Sequence, residues 1–213
     1  MDNQFDFFDF GYGPVPAHRH PNGGGWVADT ARVSASAHVC DNARVFGNAQ
    51  VFNNARVSGT ARVFGHALVS GNARVYGHAR VCDNARVRGE ARVYGNAIVC
   101  ENARVFENAQ VFEYALVSGE ARVFGTAIVR GEARVYGYAQ VFGDEWYSSP
   151  LYIQGTRYSL TNCKYRHIQI GCECHSFEEW QADYQRIGEY REFSPAEIAE
   201  YKAYIDLFVK VGK

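Results

Sequence analysis

From Val27 to Val141 a valine stands at every sixth position without a slip, twenty in all. An alanine stands two residues before each valine from Ala31 to Ala139. The position two after is usually Gly, Asn, Asp or Glu, as at Gly47, Asn53, Gly59, Gly65, Gly71, Gly77 and Asp83. A period of six does not keep one helix face apolar, and it is not the plain alternation of a sandwich strand. Alanine and valine two apart point to one side of a strand, and the residues between and after them point away. The Gly, Asn or Asp that follows tolerates the positive φ of a sharp corner. Each hexapeptide therefore reads as one short strand plus one corner, and three of them close a triangular coil of 18 residues. Twenty units give between six and seven coils, roughly 30 Å tall at about 4.8 Å per coil. Stacked valines seal the axis, each contributing on the order of 1.5–3 kcal/mol relative to exposure.

The unit Ala-Arg-Val-Phe-Gly-Asn has an aliphatic residue with a small residue two before it. Over residues 27–143 it resembles the hexapeptide-repeat family of left-handed parallel β-helices. The entry Gly23-Gly24-Gly25-Trp26-Val27 and the tail Ile-Gly-Cys172…His175…Glu-Trp180 are similar to those of bacterial and phage-encoded repeat proteins without an assigned activity. The resemblance implies an all-β solenoid, a left-handed parallel β-helix of six to seven triangular coils, and a small C-terminal α+β cap. It implies a homo-oligomer packed side by side, most often a trimer. It also raises acyl transfer from an acyl-CoA donor, and a zinc carbonic anhydrase, as activities found on this fold; fold alone assigns neither. Such acyltransferases use a loop bulging from a coil and a histidine base. Here no insertion interrupts residues 27–143, and His38, His66 and His78 share no edge of the prism. The leading expectation is a non-enzymatic structural or interaction scaffold without a cofactor. An acyltransferase, and a phage-type inhibitor of a host protein, are the alternatives.

Residues 18 apart lie above one another, which sorts the outward side chains into three faces. The first carries Arg44/Phe46, Arg62/Phe64, Arg80/Cys82, Ile98/Cys100, Leu116/Ser118 and Arg134/Tyr136. The second carries Arg32/Ser34, Gln50/Phe52, Leu68/Ser70, Arg86/Arg88, Arg104/Phe106, Arg122/Phe124 and Gln140/Phe142. The third carries His38/Cys40, Arg56/Ser58, Arg74/Tyr76, Arg92/Tyr94, Gln110/Phe112 and Ile128/Arg130. Residues 26–144 hold 13 Arg, no Lys and 10 acids, with the excess of Arg in the N-terminal half. Arg56, Arg74 and Arg92, with Arg44, Arg62 and Arg80, are the candidates for an anion or an acidic partner. Corner acids such as Glu90, Glu120 and Glu132 are expected to offset some of that charge. The bland reading of the arginines is amphipathic cover for the aromatic rows Phe46–Phe64, Tyr76–Tyr94–Phe112 and Phe106–Phe124–Phe142. Those rows are either covered surface or self-stacked ladders. On the first face arginine gives way to Ile98 and Leu116 beside Cys82, Cys100 and Ser118, a flat apolar patch expected to dock a second protomer or the C-terminal segment.

Three segments follow: an arm or plug over 1–25, the solenoid over 26–144 and a cap over 145–213. The arm is aromatic (Phe5, Phe7, Phe8, Phe10, Tyr12), and Trp26 is expected to lid the first coil. In the cap, Leu151–Gln154 and Arg157–Cys163 flank a Gly155-Thr156 turn, and Tyr165–Cys174 reads as a third strand. Ser176-Phe-Glu-Glu179 and Ser194-Pro-Ala-Glu197 are capping boxes that open two helices. Strand alternation would place Cys172 and Cys174 with Ile168 and Ile170, and His167 and His175 on the other face. Cys163, His167, Cys172, Cys174 and His175 then make a poor zinc set, and His18 and His20 a weak one. Formal net charge is −1, which argues against a globally basic nucleic-acid binder. No apolar run approaches the roughly 18 residues of a membrane span. The acidic N-terminus is unlike a signal peptide, and six Cys without one suggest a reducing, cytoplasmic setting.

Overall fold

The computed structural model describes residues 6–212. Strands β1 (Phe7–Asp9), β2 (Pro14–Arg19) and β3 (Trp26–Ala28) lead into a series of two-residue strands that begin every six residues, from β4 (Arg32–Val33) to β22 (Gln140–Val141). Strand β23 (Glu145–Trp146) arrives one residue early. The strands form three parallel sheets, one per face, each with seven solenoid strands. The chain is thus a triangular β-solenoid of about seven turns, with the 18-residue stacking that the repeat demands. Arg44 pairs with Arg62 and Val45 with Val63, and so on up each face. Main-chain bonds run from coil to coil, such as Arg44 N–H to Ala61 O at 3.0 Å and Phe46 N–H to Val63 O at 3.0 Å. Every repeat valine except Val33 is sealed from solvent. The corners take the left-handed conformation, as at Gly47 (φ 68°) and Asn53 (φ 59°).

Both ends depart from expectation. The described part of the arm is no axial plug; Phe5 lies outside the described residues. Strands β1 and β2 form an antiparallel hairpin, and β2 pairs antiparallel with β3, so the arm extends the first sheet. Trp26 is not a lid. It pairs in register with Arg44 on the outer surface, where Phe8 stacks on it at 4.5 Å. The edge of the third sheet is covered instead by residues 22–25. Gly25 N–H donates to Val39 O at 2.8 Å, and Val39 N–H to Asn22 O at 3.1 Å. A Cβ on Gly25 would lie 2.6 Å from Val39 Cγ1, so only glycine allows this approach. At the far end Trp146 takes the seat above Val129 and closes the core, 2% exposed.

The cap is a four-stranded antiparallel sheet of β24 (Tyr152–Gln154), β25 (Ser159–Lys164), β26 (His167–Ile170) and β27 (Glu173–Ser176), followed by α1 (Phe177–Tyr190) and α2 (Pro195–Val211). The expected third strand is therefore two, because Gly171 (φ 57°) reverses the chain at residues 171–172. Both capping boxes form, with Ser176 and Glu179, and Ser194 and Glu197, bonding reciprocally. Phe177, Trp180, Tyr201, Ile205 and Phe208 pack against Leu160, Ile168 and Ile170. The cap joins the solenoid at its last coil, where Phe142 N–H donates to Cys163 O at 3.1 Å and Arg134 N–H to Ser149 Oγ at 3.0 Å.

Candidate functional site

The stacked faces bring the sequence-derived candidates into columns. On the third face Arg56, Arg74 and Arg92 stand in register and exposed. Beside them Tyr76 and Tyr94 stack at 4.8 Å with rings 2° apart, and Tyr94 and Phe112 at 4.6 Å and 7°. Burial lifts the Tyr94 phenol above its ordinary value, and Tyr76 adds to that. The column ends at Arg130, which lies over Tyr147 at 4.1 Å and pairs with Glu145 at 2.6 Å and Glu113 at 3.6 Å. Arg130 is the one solenoid arginine with a carboxylate partner among the described residues.

On the first face Arg44, Arg62 and Arg80 are likewise in register. The upper part of this face is occupied. Phe10 stacks on Phe46 at 4.9 Å and Phe46 on Phe64 at 5.0 Å, so the arm covers the row. Below, Ile98 and Leu116 pair in register, half-buried, beside Cys82, Cys100 and Ser118. The cap meets the solenoid farther along the chain, at the last coil. Burial raises the Cys82 thiol to about 12, with Asp83 and Cys100 adding, and raises Cys100 too; both are neutral small groups rather than nucleophiles.

The second face pairs the expected Phe106–Phe124–Phe142 row with arginines that the sequence analysis did not count among the anion candidates. Arg86, Arg104 and Arg122 form a third column in register. Phe106 and Phe124 stack beside it at 5.0 Å and 1°, and Phe124 and Phe142 at 5.3 Å and 32°. Arg88 lies over Phe106 at 5.3 Å. The 18-residue spacing carried this signal; the charge count by halves obscured it.

The corner acids do not neutralise these columns. Glu90 accepts from Asn72 Nδ2 at 2.6 Å and Glu120 from Asn102 Nδ2 at 2.8 Å. Asp41, Asp83, Glu107 and Glu113 accept main-chain N–H bonds from the next coil, at Gly59 (2.9 Å), Glu101 (3.0 Å), Gly125 (2.8 Å) and Gly131 (2.7 Å). At these left-handed corners the carboxylate reaches the amide 18 residues on, and of the four only Glu113 also meets an arginine, Arg130 at 3.6 Å. Nine arginines in three columns thus lack a carboxylate partner among the described residues.

The groups weighed for catalysis or metal binding stay apart. His78 Nδ1 meets Thr60 Oγ1 at 2.6 Å on one edge, and His66 is exposed on another. His38 lies on the third face with its Nδ1 buried and unpartnered. In the cap Cys172 is exposed in the turn, correcting its expected place with the core isoleucines. Cys163 and Cys174 approach to 3.3 Å between sulfurs. His175 shares the face of Ile168, its register partner, and meets Trp180 edge-on at 4.9 Å. The chain reversal at Gly171 breaks the alternation from which the opposite assignment followed. No three metal-ligating side chains assemble among the described residues, and no helix of theirs is long and apolar enough to cross a membrane.

No curated protein and no solved structure matches the chain. Residues 37–51 and 61–77, within the early coils, match the family model described as the YdcK β-solenoid repeat. Over those stretches the chain is similar to YdcK-type repeats, in a β-solenoid of about seven turns.

Proposed function

We propose that this protein is a rigid binding scaffold whose arginine and aromatic columns hold an acidic protein partner. The observation that carries the reading is the absence of carboxylate partners for Arg56, Arg74 and Arg92 among the described residues. Guanidiniums held at the strand spacing of roughly 5 Å would repel by about 0.8 kcal/mol per neighbouring pair even at the dielectric of water. Neutral outward residues serve the same positions elsewhere, as at Gln50, Gln110 and Gln140. Cover alone therefore does not call for arginine. A row of partner carboxylates relieves the repulsion and gains charge-assisted hydrogen bonds. The aromatic column alongside supplies rigid contact area and needs little ordering on binding.

Self-association belongs to the same reading. The Ile98–Leu116 patch suits a second protomer set side by side, a trimer in the arrangement that the fold resemblance implies. Mass measurement by light scattering at micromolar concentration tests it: a trimer that L116E dissolves is expected, and a wild-type monomer removes this part.

The partner site is tested with a fluorescent glutamate-rich peptide titrated by anisotropy. Binding that weakens steeply with salt, and falls at least about tenfold when Arg56, Arg74 and Arg92 all become Gln, is the expected result. Equal affinity of wild type and triple variant overturns it.

A further inference from the structure

The cap contains a cavity of about 190 Å³ between its sheet and its two helices, lined by Tyr158, Trp180, Tyr184, Phe193, Ile187 and Ile198. We propose that it is a binding site for a small molecule built on a single aromatic ring that carries a hydrogen-bond-accepting oxygen.

Three observations fix that chemistry. First, the indole of Trp180 and the hydroxyl of Tyr201 in the walls are already engaged. Trp180 Nε1 donates to Ile168 O at 2.9 Å. The Tyr201 hydroxyl accepts from Arg157 N–H at 3.0 Å and donates to Tyr158 O at 2.8 Å. A group entering between Trp180, Ile187 and Ile198 therefore meets mostly apolar surface, and a polar one would lose its water with little compensation. Second, the volume suits one ring. An apolar cavity of about 150 Å³ accepts benzene, so this one has room for a benzene ring with a short substituent. Third, the polar groups gather at the mouth. Cys172 is exposed there, and Arg191 reaches Glu173 through both Nε and Nη2. Glu173 also takes His175 Nε2 at 3.3 Å, and the Arg191 guanidinium holds its carboxyl below the usual carboxylate range. Glu173 is therefore ionised and satisfied, whereas Arg191 keeps further N–H donors for an acceptor oxygen. The ligand lies with its ring inward and its oxygen at Arg191. Gly188 helps shape the wall: a Cβ there would lie 2.8 Å from Ile198 Cγ1, so glycine lets the helices meet closely beside the cavity.

The test uses the full chain with acetophenone, phenylacetate and toluene as probes, followed by saturation-transfer NMR and by fluorescence, with Trp180 in the wall as reporter. The first two probes are expected to bind saturably, with Kd of about 0.1–1 mM for ligands of nine or ten heavy atoms. Toluene is expected to bind more weakly. R191M, which keeps the aliphatic stem, should cut acetophenone or phenylacetate affinity by about fivefold and leave toluene unchanged. I187W fills the cavity and should abolish binding of all three. A stronger effect of R191M on phenylacetate than on acetophenone identifies the anionic form of the head group as preferred; equal effects identify the neutral acceptor. The proposal is overturned if no probe saturates below about 5 mM, or if R191M leaves the acceptor-bearing probes unaffected. R191M alters an exposed ion pair, so that comparison stands even where I187W does not fold.

Discussion

Two substitutions in one coil separate a tightly closed corner from a merely apolar one. Val81 lies between Val63 and Val99 in register, and Ala79 sits just after the corner that contains Gly77; both are fully buried. V81A removes two methyl groups, costing about 1.6 kcal/mol of transfer free energy. It also leaves on the order of 50 Å³ of cavity, adding about 1 kcal/mol. The expected loss is about 2–3 kcal/mol. A79L adds three carbons where the triangle narrows. Ala79 O there accepts Arg62 N–H at 2.9 Å, so the coil below is held in place. Overpacking typically costs 1–3 kcal/mol where the backbone can shift. Here the hydrogen-bonded coils above and below resist the shift, and the expected loss exceeds about 3 kcal/mol. Equilibrium urea unfolding, with slopes compared to confirm that both variants melt as the wild type does, reads the difference. A V81A midpoint below that of A79L refutes the claim that the corners limit the packing.

The corner hydrogen bonds give a second comparison: G95A should cost about 1–2 kcal/mol, because Gly95 has φ 68°, and G95D should cost less, its carboxylate reaching Glu113 N–H as Asp83 reaches Glu101. Equal thermal shifts for the two contradict this. W146A should destabilise by about 3–5 kcal/mol and raise hydrogen exchange first in the last coils, since Trp146 closes the core; uniform exchange along the solenoid speaks against it. The depressed Glu173 carboxyl contributes stability that is present above the unfolded value of about 4.3 and lost as pH falls through its lower folded value. In R191M the cap should therefore lose less stability between neutral and acid pH, followed by Trp180 fluorescence; an unchanged acid profile sinks the assignment. Deleting residues 1–22 bares the edge of β3 and the face of Phe46, and should produce concentration-dependent association in light scattering.

The periodic part of the chain is legible because each residue's environment repeats with its position modulo 18. That places Arg74 over Arg56 and Tyr94 over Tyr76 without further information, and the Ser-x-x-Glu boxes announce both helices as plainly. The errors fall where periodicity stops. An arm joining a sheet edge antiparallel leaves no spacing signal, so Trp26 looked like a lid. The run from His167 to His175 alternates as one strand would, and only Gly171 hints at the reversal. The corner acids were visible, but the direction of their side chains depends on the left-handed backbone, which sends Glu107 to an amide instead of an arginine. The cap cavity depends on how α1 and α2 pack over the sheet, and no local pattern in the sequence encodes that angle.

The charge columns exist only if the backbone returns above itself every 18 residues, and one distance tests that return. Asn48 and Tyr138 are exposed corner residues on the same edge, five coils apart. Nitroxides on ketone-bearing residues introduced at both sites, measured by pulsed electron double resonance, should give one narrow distribution near 24 Å, five times the sheet spacing of about 4.8 Å. A distribution centred beyond about 35 Å, or one without a defined maximum, contradicts the solenoid and with it the arginine columns.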